Sequence, residues 1–362
     1  MDKDVKNEFL FSIIVPVYNT EKYVEKCLES IKDAIDVDCE VIIVNDGSTD
    51  NSEQKILNFI NKLPLEYKNN FVYTKKENKG LSDTKNVGIS LSRGKYISVL
   101  DSDDYISKDF YKIAREYIPK HDIIVYDFYV IYEKEKDYNY ISRACRENSE
   151  SLAVGLVSGA MQGSSCNKII KKDLYDNYQF PVGIEYEDVS VTPFLLLNAQ
   201  SPKYLPYPLY NYLQRKNSIV SNNTISEAFY KICKNISDRI KNNKLDISKY
   251  KHIINEFFVY RILDNLYFDC FSDKNSFINK LSDFRSNNLK AITYILNSNL
   301  VFSMESYYTE RQKKLVFNIF SAIKSQNYNR VKSLLLTRRI ARYLRNVKNS
   351  FVNFIFCLLG RR

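Results

Sequence analysis

The sequence predicts an α/β fold, with a mostly parallel β-sheet flanked by helices and followed by an α-helical C-terminal region. Two observations predict it. Over residues 1–105, continuous apolar runs alternate with segments whose apolar residues recur every three or four positions, as in buried parallel strands separated by helices. Beyond residue 221 there is no Pro, Gly is absent until Gly360, and apolar residues recur at helical spacing.

The predicted elements follow in chain order. Short apolar runs rich in β-branched residues predict four strands, over 11–17, 40–46, 71–76 and 95–101. The segments between them predict helices over 20–34, over 52–60 with Asp50 as a cap, and over 83–92. Strands connected in this way pair in parallel through right-handed crossovers. Further along, the sequence predicts one or two strands over 121–132 and a buried helix over 189–200.

The composition excludes several classes of protein. With 44% hydrophobic and 14% aromatic residues, the chain is not a disordered or low-complexity protein. Its seven cysteines are scattered and form no CxxC pair, which excludes a readable disulfide or zinc framework and favours a reducing compartment. Because the chain has only two histidines, we expect its chemistry to depend on carboxylates.

The net charge of +10 is concentrated at the C-terminus. Residues 338–362 carry seven Lys and Arg and no acid, which leaves 46 basic and 43 acidic residues in the first 337. A nucleic-acid groove along the whole chain is therefore disfavoured, and we predict no nucleic-acid partner.

The same C-terminal segment has the pattern of an amphipathic helix. Ile340, Leu344, Val347 and Phe351 share one helical face, and Arg338, Arg342 and Arg345 lie opposite. We predict that it contacts an anionic membrane surface; a helix docked on the protein or a nucleic-acid contact are the alternatives. There is no recognisable signal peptide and no apolar run of spanning length, so we expect a cytoplasmic protein, peripheral on the inner face of the cell membrane.

Polar, carboxylate-rich segments follow the four predicted strands, at 17–19, 45–50, 77–83 and 101–104. In open parallel sheets the ligand crevice lies at the carboxyl ends of the strands. Turn formation alone would explain any one of these segments. It is a weaker explanation of all four together.

Of these four segments, DSDD at 101–104 is the most specific indication of a ligand site. Repulsion among Asp101, Asp103 and Asp104 would raise their pKa values unless a cation lies nearby. A divalent ion, Mn²⁺ or Mg²⁺, held by one or two carboxylates and by phosphate oxygens fits this pattern. The alternative is a helix start capped by Asp104 or Ser107, and the two explanations are compatible.

Three nucleotide-binding patterns are missing. No G-x-G-x-x-G follows the first strand, and there is no G-x-x-x-x-G-K-[ST]. VPVYNTEKY (15–23) also occupies the place where a sugar-1-phosphate nucleotidyltransferase would have a Gly-rich, Arg-containing loop.

Four segments, in this order, resemble the family 2 glycosyltransferases. They are SIIVPVYNTEKYVEKCLESI (12–31), EVIIVNDGSTDNS (40–52), ENKGLSDTKNVGISLSRGKYISVLDSDD (77–104) and EYEDV (185–189). The resemblance covers about residues 9–220 and implies a GT-A fold, a Rossmann-like sheet. It also implies an inverting, metal-dependent hexosyl- or N-acetylhexosaminyltransferase. Such an enzyme moves a sugar from a nucleotide-diphosphate donor, usually UDP-linked, to a glycan or lipid-linked acceptor of surface polysaccharide synthesis.

The resemblance assigns donor-binding roles by position. It places Pro16, Val17 and Tyr18 in the nucleotide wall, Asp46 at the base, Asp101 near the ribose, Ser102 beside it and Asp103 on the metal. Lys85 and Asn86 stand in the family's Ala-Arg-Asn stretch. Lys keeps the charge of Arg but lacks its planar fork, which weakens the expectation of a bidentate contact.

The same resemblance places the catalytic base at Asp188 in EYEDV, with Glu187 positioning the acceptor or Asp188. An acceptor hydroxyl is a poor nucleophile, and a nearby carboxylate can take its proton as the new bond forms. The alternative for these acids is a solvated helix N-terminus.

Residues 210–222 resemble the family's closing loop over the diphosphate. Arg215, Lys216 and Ser218 are its candidate ligands, and an ordinary surface loop is the alternative. Cys166 stands where relatives often have a Trp in the acceptor region, and we interpret it as a small packing residue.

We expect a catalytic domain over 1–220, a helical region over 221–337 and the basic helix over 338–362. Two other functions stay open: a metal-dependent nucleotidyltransferase, which would release pyrophosphate, and a non-catalytic nucleotide-sugar-binding scaffold at the membrane.

Overall fold

The computed structural model describes residues 9–132, 164–184, 187–214, 277–297 and 310–336, with a few helical residues between 231 and 239. The chain divides into two units, Met1–Ser221 and Asn222–Arg362. Two predicted features, the basic helix over 338–362 and the closing-loop residues from 215 onward, lie outside the described residues.

Four parallel strands form one half of an eight-stranded sheet. They are β1 (Phe11–Val17), β2 (Cys39–Asn45), β3 (Phe71–Lys75) and β4 (Tyr96–Val99), in the order β3-β2-β1-β4. Every residue of β1, β2 and β4 is buried, as expected of strands covered on both faces. The predicted strands are confirmed to within two residues.

Helices connect these strands as their apolar spacing predicts. They are α1 (Val24–Lys32), α2 (Ser52–Lys62), a single turn α3 (Leu65–Lys68) and α4 (Leu81–Leu91). Helix α1 buries Val24, Cys27, Leu28 and Ile31, which lie on one face of the helix as the three- and four-residue apolar spacing predicts. Asp50 lies two residues before α2, where its Oδ1 accepts the Ser52 N–H at 3.0 Å.

The other half of the sheet is mixed. Its strands are β5 (Tyr105–Ile106), β6 (Ile123–Tyr132), β7 (Lys168–Lys171) and β8 (Pro202–Gln214), and they extend the order as β4-β7-β6-β8-β5. Strand β7 is antiparallel to β4 and β6, and β8 is parallel to β6.

The sequence did not predict β8, and its prolines explain why. Pro202 begins the strand, and Pro208 lies where the pairing with β6 shifts register at Tyr126, Asp127 and Phe128. Proline is tolerated in sheets at strand starts and bulges. Residues 210–214, which were predicted to begin the closing loop, therefore belong to a strand.

The predicted cap of the next helix is wrong. Helix α5 runs over Phe110–Tyr117 and begins several residues beyond Asp104 and Ser107. Asp104 is instead bonded to β8, and Ser107 Oγ is buried with no hydrogen-bond partner among the described residues. Helix α6 (Glu187–Asn198) confirms the predicted buried helix and buries Val191, Phe194, Leu195 and Leu196.

An aromatic cluster joins the two halves of the sheet. The Phe11 ring lies 5.9 Å from that of Phe110 and 5.8 Å from that of Tyr111, and the Phe110 ring meets Tyr126 edge-on at 5.6 Å. Such offset and edge-on contacts are the favoured geometries of aromatic pairs. This core packs α5 against β1 and β6.

The described part of the second unit is helical, as predicted. Its helices are α7 (Phe277–Asn297), α8 (Glu310–Lys324) and α9 (Tyr328–Leu336). Their buried side chains include Leu281, Phe284, Ile319, Phe320 and Val331. No helix in the described ranges is both long and apolar enough to cross a membrane.

Candidate active site

The loops after β1 and β2 hold each other in place. The Asn19 side-chain oxygen accepts the Thr49 N–H at 2.8 Å, and Ser48 Oγ accepts the Asn19 N–H at 3.1 Å. Asn19 has a φ of 51°, a left-handed conformation that Asn tolerates better than most residues. The carboxyl edge of the sheet is therefore a fixed platform at this point.

Asp46 is buried at the end of β2, where it organises the next loop. Its carboxylate bonds the Lys76 ammonium, accepts the Lys79 N–H at 3.0 Å and accepts the Gly80 N–H at 2.9 Å. Lys76 also pairs with Asp83 at 2.7 Å. Pro16 and Val17 are buried in β1, whereas the Tyr18 side chain beside them is 49% exposed, which leaves its ring free to stack on a ligand.

The four residues of DSDD alternate between partly exposed and buried. Asp101 and Asp103 are partly exposed, whereas Ser102 and Asp104 are buried. Ser102 Oγ accepts the Thr20 hydroxyl at 3.0 Å, and Asp104 accepts the Tyr210 hydroxyl and, at 2.7 Å, the Leu213 N–H. Asp101 and Asp103 therefore remain the two acids of this segment that are accessible to a ligand.

A cation would suit this pair of carboxylates. Desolvation, together with the charges of Asp103, Asp188 and Glu187, raises the pKa of Asp101 to about 7, although the Lys85 charge opposes the shift. Within the described ranges, no three His, Cys, Asp or Glu side chains converge into a complete metal cage. One or two carboxylates suffice for Mg²⁺ or Mn²⁺ when water and phosphate oxygens complete the shell, so the residues present fit an ion bound together with a diphosphate.

A buried ion cluster lies between α4 and α6. The Lys85 ammonium donates to Glu187 Oε1 at 2.6 Å, to Asp188 Oδ1 at 2.8 Å and to Ser165 Oγ at 3.0 Å. Asp188 Oδ2 accepts the Ser165 N–H at 2.9 Å. We refer to Lys85, Ser165, Glu187 and Asp188 as the acid cluster.

The two acids of this cluster have different electrostatics. Burial acts to raise the pKa of Asp188, but the Lys85 charge and the bonds from Lys85 and Ser165 outweigh it and lower the pKa below the usual value. For Glu187, burial dominates and raises the pKa, although Lys85 opposes it. Asp188 is thus the carboxylate that stays ionised at neutral pH.

Asn86, which was predicted to contact the donor, forms hydrogen bonds with the backbone of Phe180. Its amide nitrogen donates to the Phe180 carbonyl at 2.8 Å, and its oxygen accepts the Phe180 N–H at 2.9 Å. This two-way bond ties α4 to the segment that leads toward Glu187 and Asp188.

The segment 164–168 contributes residues that sequence reasoning missed. Ser165 supplies both a side-chain and a backbone partner to the acid cluster, and Lys168 donates to the Ser164 carbonyl and to Asn167 Oδ1, both at 2.6 Å. The polar run GSSCNK was the available signal. Cys166 is buried and desolvation raises its pKa to about 12, which agrees with a packing role.

Arg215, Lys216 and Ser218 lie outside the described residues, so their contacts with a donor stay predictions. The roles that the resemblance assigns to the remaining site residues also stay predictions.

Residues 12–179 match the family model described as Glycosyl transferase family 2. This region belongs to glycosyl transferase family 2. The matched residues include the four parallel strands except for Phe11, and also DSDD and Lys85.

Curated relatives agree with that family. The chain is 32% identical over 228 residues to the glycosyltransferase GlyA of Streptococcus pneumoniae serotype 4, a match covering 58% of this chain and 31% of GlyA. It is 29% identical over 254 residues to the poly(ribitol-phosphate) beta-N-acetylglucosaminyltransferase TarS of Staphylococcus aureus, a match covering 68% of this chain and 43% of TarS. The chain thus spans less than half the length of either relative.

Solved structures confirm the predicted GT-A fold. Residues 1–349 of S. aureus TarS, crystallised with UDP-GlcNAc, match with a TM-score of 0.65 at 22% identity, covering 91% of this chain and 92% of that one. The mannosyltransferase PcManGT from Pyrobaculum calidifontis, in complex with GDP-Man and Mn²⁺, matches with a TM-score of 0.52 at 13% identity, covering 88% and 87%.

Proposed function

We propose that this family 2 protein is an inverting, metal-dependent glycosyltransferase. It would transfer a sugar from a UDP-linked donor to a glycan or lipid-linked acceptor in surface polysaccharide synthesis. The observation that carries the proposal is the position of Asp188 in the acid cluster. Its carboxylate is ionised, and its negative charge is one of the causes that raise the pKa of Asp101 in DSDD. UDP-GlcNAc is the first donor to test, because TarS, which shares the fold, was crystallised with it.

In the proposed reaction Asp188 is the general base. The acceptor hydroxyl oxygen forms a bond to the anomeric carbon of the donor from the face opposite the leaving group, and its proton passes to Asp188. The bond between the anomeric carbon and the phosphate oxygen breaks, and its electron pair stays on the nucleoside diphosphate. Attack from the opposite face gives inversion.

The donor would lie along the carboxyl edge of the sheet. Tyr18 would stack on the base and Asp46 would accept from it, while Asp101 and Ser102 would border the ribose. Asp103 would hold Mn²⁺ or Mg²⁺, which when bound offsets the charge of the leaving diphosphate. Arg215 and Ser218 would close over that diphosphate from the segment after β8.

The basic segment 338–362 would keep the enzyme at the inner face of the membrane, where lipid-linked acceptors present their sugars. Each of its seven cations contributes about 1 kcal/mol of attraction near an anionic surface. Deleting 338–362 should release the protein from vesicles of anionic lipid without reducing donor hydrolysis. Retention of the truncated protein on those vesicles would refute the anchor.

The test of function is a thermal-shift panel of nucleotide sugars with and without Mn²⁺, followed by transfer assays. A bound donor raises the melting temperature by mass action. Asp103→Ala should abolish the Mn²⁺-dependent shift, whereas Asp188→Asn should keep the shift and lose transfer. Asp109→Ala and Asp176→Asn, which alter exposed acids nearby, are the matched controls.

Each alternative has its own outcome. Release of pyrophosphate would identify a nucleotidyltransferase. A donor-dependent shift without hydrolysis or transfer, unchanged in Asp188→Asn, would identify a non-catalytic scaffold. Near-full transfer by Asp188→Asn would remove Asp188 as the base.

A further inference from the structure

Lys85 has no ammonium proton left for a donor. Its side chain is 2% exposed, and its three N–H bonds are directed to Glu187, Asp188 and Ser165 at 2.6–3.0 Å. An ammonium group has three protons. The phosphate or base contact expected of the family's Ala-Arg-Asn stretch would therefore require Lys85 to break one of these bonds.

Lys85 and Ser165 together fix the Asp188 carboxylate. Lys85 holds Oδ1 at 2.8 Å, and the Ser165 backbone N–H holds Oδ2 at 2.9 Å. The Ser165 side chain is a further hydrogen-bond partner of the same carboxylate. These bonds fix the plane of the group, and a carboxylate, which has about four lone-pair sites, keeps capacity for a further proton. The side chain of Asp188 is 17% exposed, so this remaining capacity can reach an acceptor.

The charge of Lys85 also decides how many protons the cluster holds. Glu187 and Asp188 carry two negative charges on consecutive residues, and Lys85 supplies one positive charge between them. Two neighbouring buried carboxylates do not both ionise without such compensation. The titratable groups that face the cluster from neighbouring elements are Asp101, Cys166, Lys168 and Tyr175.

We propose that Lys85 is a positioning residue for the reaction, which holds Asp188 ionised and oriented toward the acceptor, and that it does not bind the donor. This inference rests on the proposed function. It assigns the Arg-to-Lys difference in this stretch a role: a compact ammonium group fits between two carboxylates and a hydroxyl, where a planar guanidinium would not.

The test compares the pH dependence of kcat in wild-type protein and Lys85→Met. Met approximates the length of Lys without its charge. The acid limb of the kcat profile, which reports Asp188, should move up by about 1–3 pH units, because an opposite charge at this range shifts a carboxyl by that much. The KM for donor should stay within about threefold. Lys171→Met, which removes a surface partner of Asp173, is the matched control and should change neither.

The double variant Lys85→Met/Glu187→Gln provides a second test, which applies even if Lys85→Met does not fold. It removes the ammonium and one carboxylate together, so the net charge of the cluster is that of the wild type. We expect it to fold, to keep the donor-dependent thermal shift and to lose kcat at least tenfold, because Oδ1 of Asp188 has lost its donor.

Two results would overturn the inference: an acid limb that does not move in Lys85→Met, or a tenfold rise in donor KM with kcat intact in either variant. Asp188→Asn separates these from a failure of the proposed function. If Asp188→Asn retains transfer, the reaction itself is wrong. If it abolishes transfer while Lys85→Met leaves the profile unchanged, the role of Lys85 alone is wrong.

Discussion

Asp103 and Asp104 are neighbours in DSDD, yet the structure predicts opposite consequences for their removal. Asp104→Ala leaves the Tyr210 hydroxyl and the Leu213 N–H without their acceptor in a buried site. Each unsatisfied group costs about 1–3 kcal/mol. Part of this is offset, because burial and the charges of Asp103 and Asp101 raise the pKa of Asp104, so the wild-type carboxylate is itself destabilised. We therefore expect a net loss of about 2 kcal/mol.

Two measurements check this magnitude. Urea unfolding should show a lower midpoint, by roughly 1 M if the slope is about 2 kcal/mol/M. Hydrogen exchange at the Leu213 amide should accelerate about 30-fold, the factor that corresponds to 2 kcal/mol.

The controls lie in the same loop. Asp104→Asn keeps an oxygen for the Leu213 N–H, and its NH₂ can donate to the Tyr210 hydroxyl, so it should stay within about 1 kcal/mol of wild type. Asp103→Ala alters a partly exposed side chain and should unfold like wild type while losing Mn²⁺-dependent donor binding. The reasoning fails if Asp104→Ala unfolds at the wild-type midpoint, or if Asp103→Ala is the less stable of the two.

Two further predictions concern the framework around the site. Gly94→Ala should lower the free energy of unfolding by about 1–3 kcal/mol in urea titrations, because its Cβ would lie 2.6–2.7 Å from backbone atoms of Phe11 and Ser12; an unchanged midpoint would contradict this. Burial lowers the pKa of Lys168 to about 8, so between pH 8 and 10 the unfolded chain binds a proton that the native state has released, and stability rises with pH. Between pH 8 and 10 the free energy of unfolding of wild type should rise by about 1.4 kcal/mol per pH unit relative to that of Lys168→Met. If the two proteins show the same change in unfolding free energy with pH, the prediction is wrong.

Local patterning was enough to predict the parallel half of the sheet. In β1 and β2 every residue is buried, and all but Ser12, Glu40 and Asn45 are apolar, a pattern typical of strands covered on both faces. The mixed half of the sheet was harder to predict from the sequence. Strand β8 contains three prolines that mark turns in most contexts, and only its pairing with β6, across a register shift, makes it a strand.

The candidate site divides in the same way. Strand ends gave the positions of Asp46, Asp101 and Asp103, because the carboxyl edge of a parallel sheet follows from its topology. Only the family resemblance placed the metal on Asp103 and not on Asp104. The local pattern could not, since the burial of Asp104 depends on Tyr210, which lies 106 positions away along the chain. The link between Lys85 and Asp188, 103 positions apart, was invisible for the same reason.

Helix α4 contacts two parts of the candidate site. Asp83 and Lys85 are two residues apart, so they leave the helix on nearly opposite sides. Asp83 pairs with Lys76 at 2.7 Å, and Lys76 in turn bonds Asp46, the residue expected at the base. Lys85 meets Glu187 and Asp188 on its other side.

The resemblance to family 2 glycosyltransferases implies an uncharged Ala at the position of Asp83. Here Asp83 adds a negative charge beside Lys76, and the ammonium is shared between Asp83 and Asp46. Substitutions at 83 should therefore affect the base end of the donor and leave proton transfer intact, whereas substitutions at 85 should do the reverse. Because both side chains depend on the same helical turn, a change that unwinds the start of α4 should impair both functions together, and in that respect differ from either point substitution.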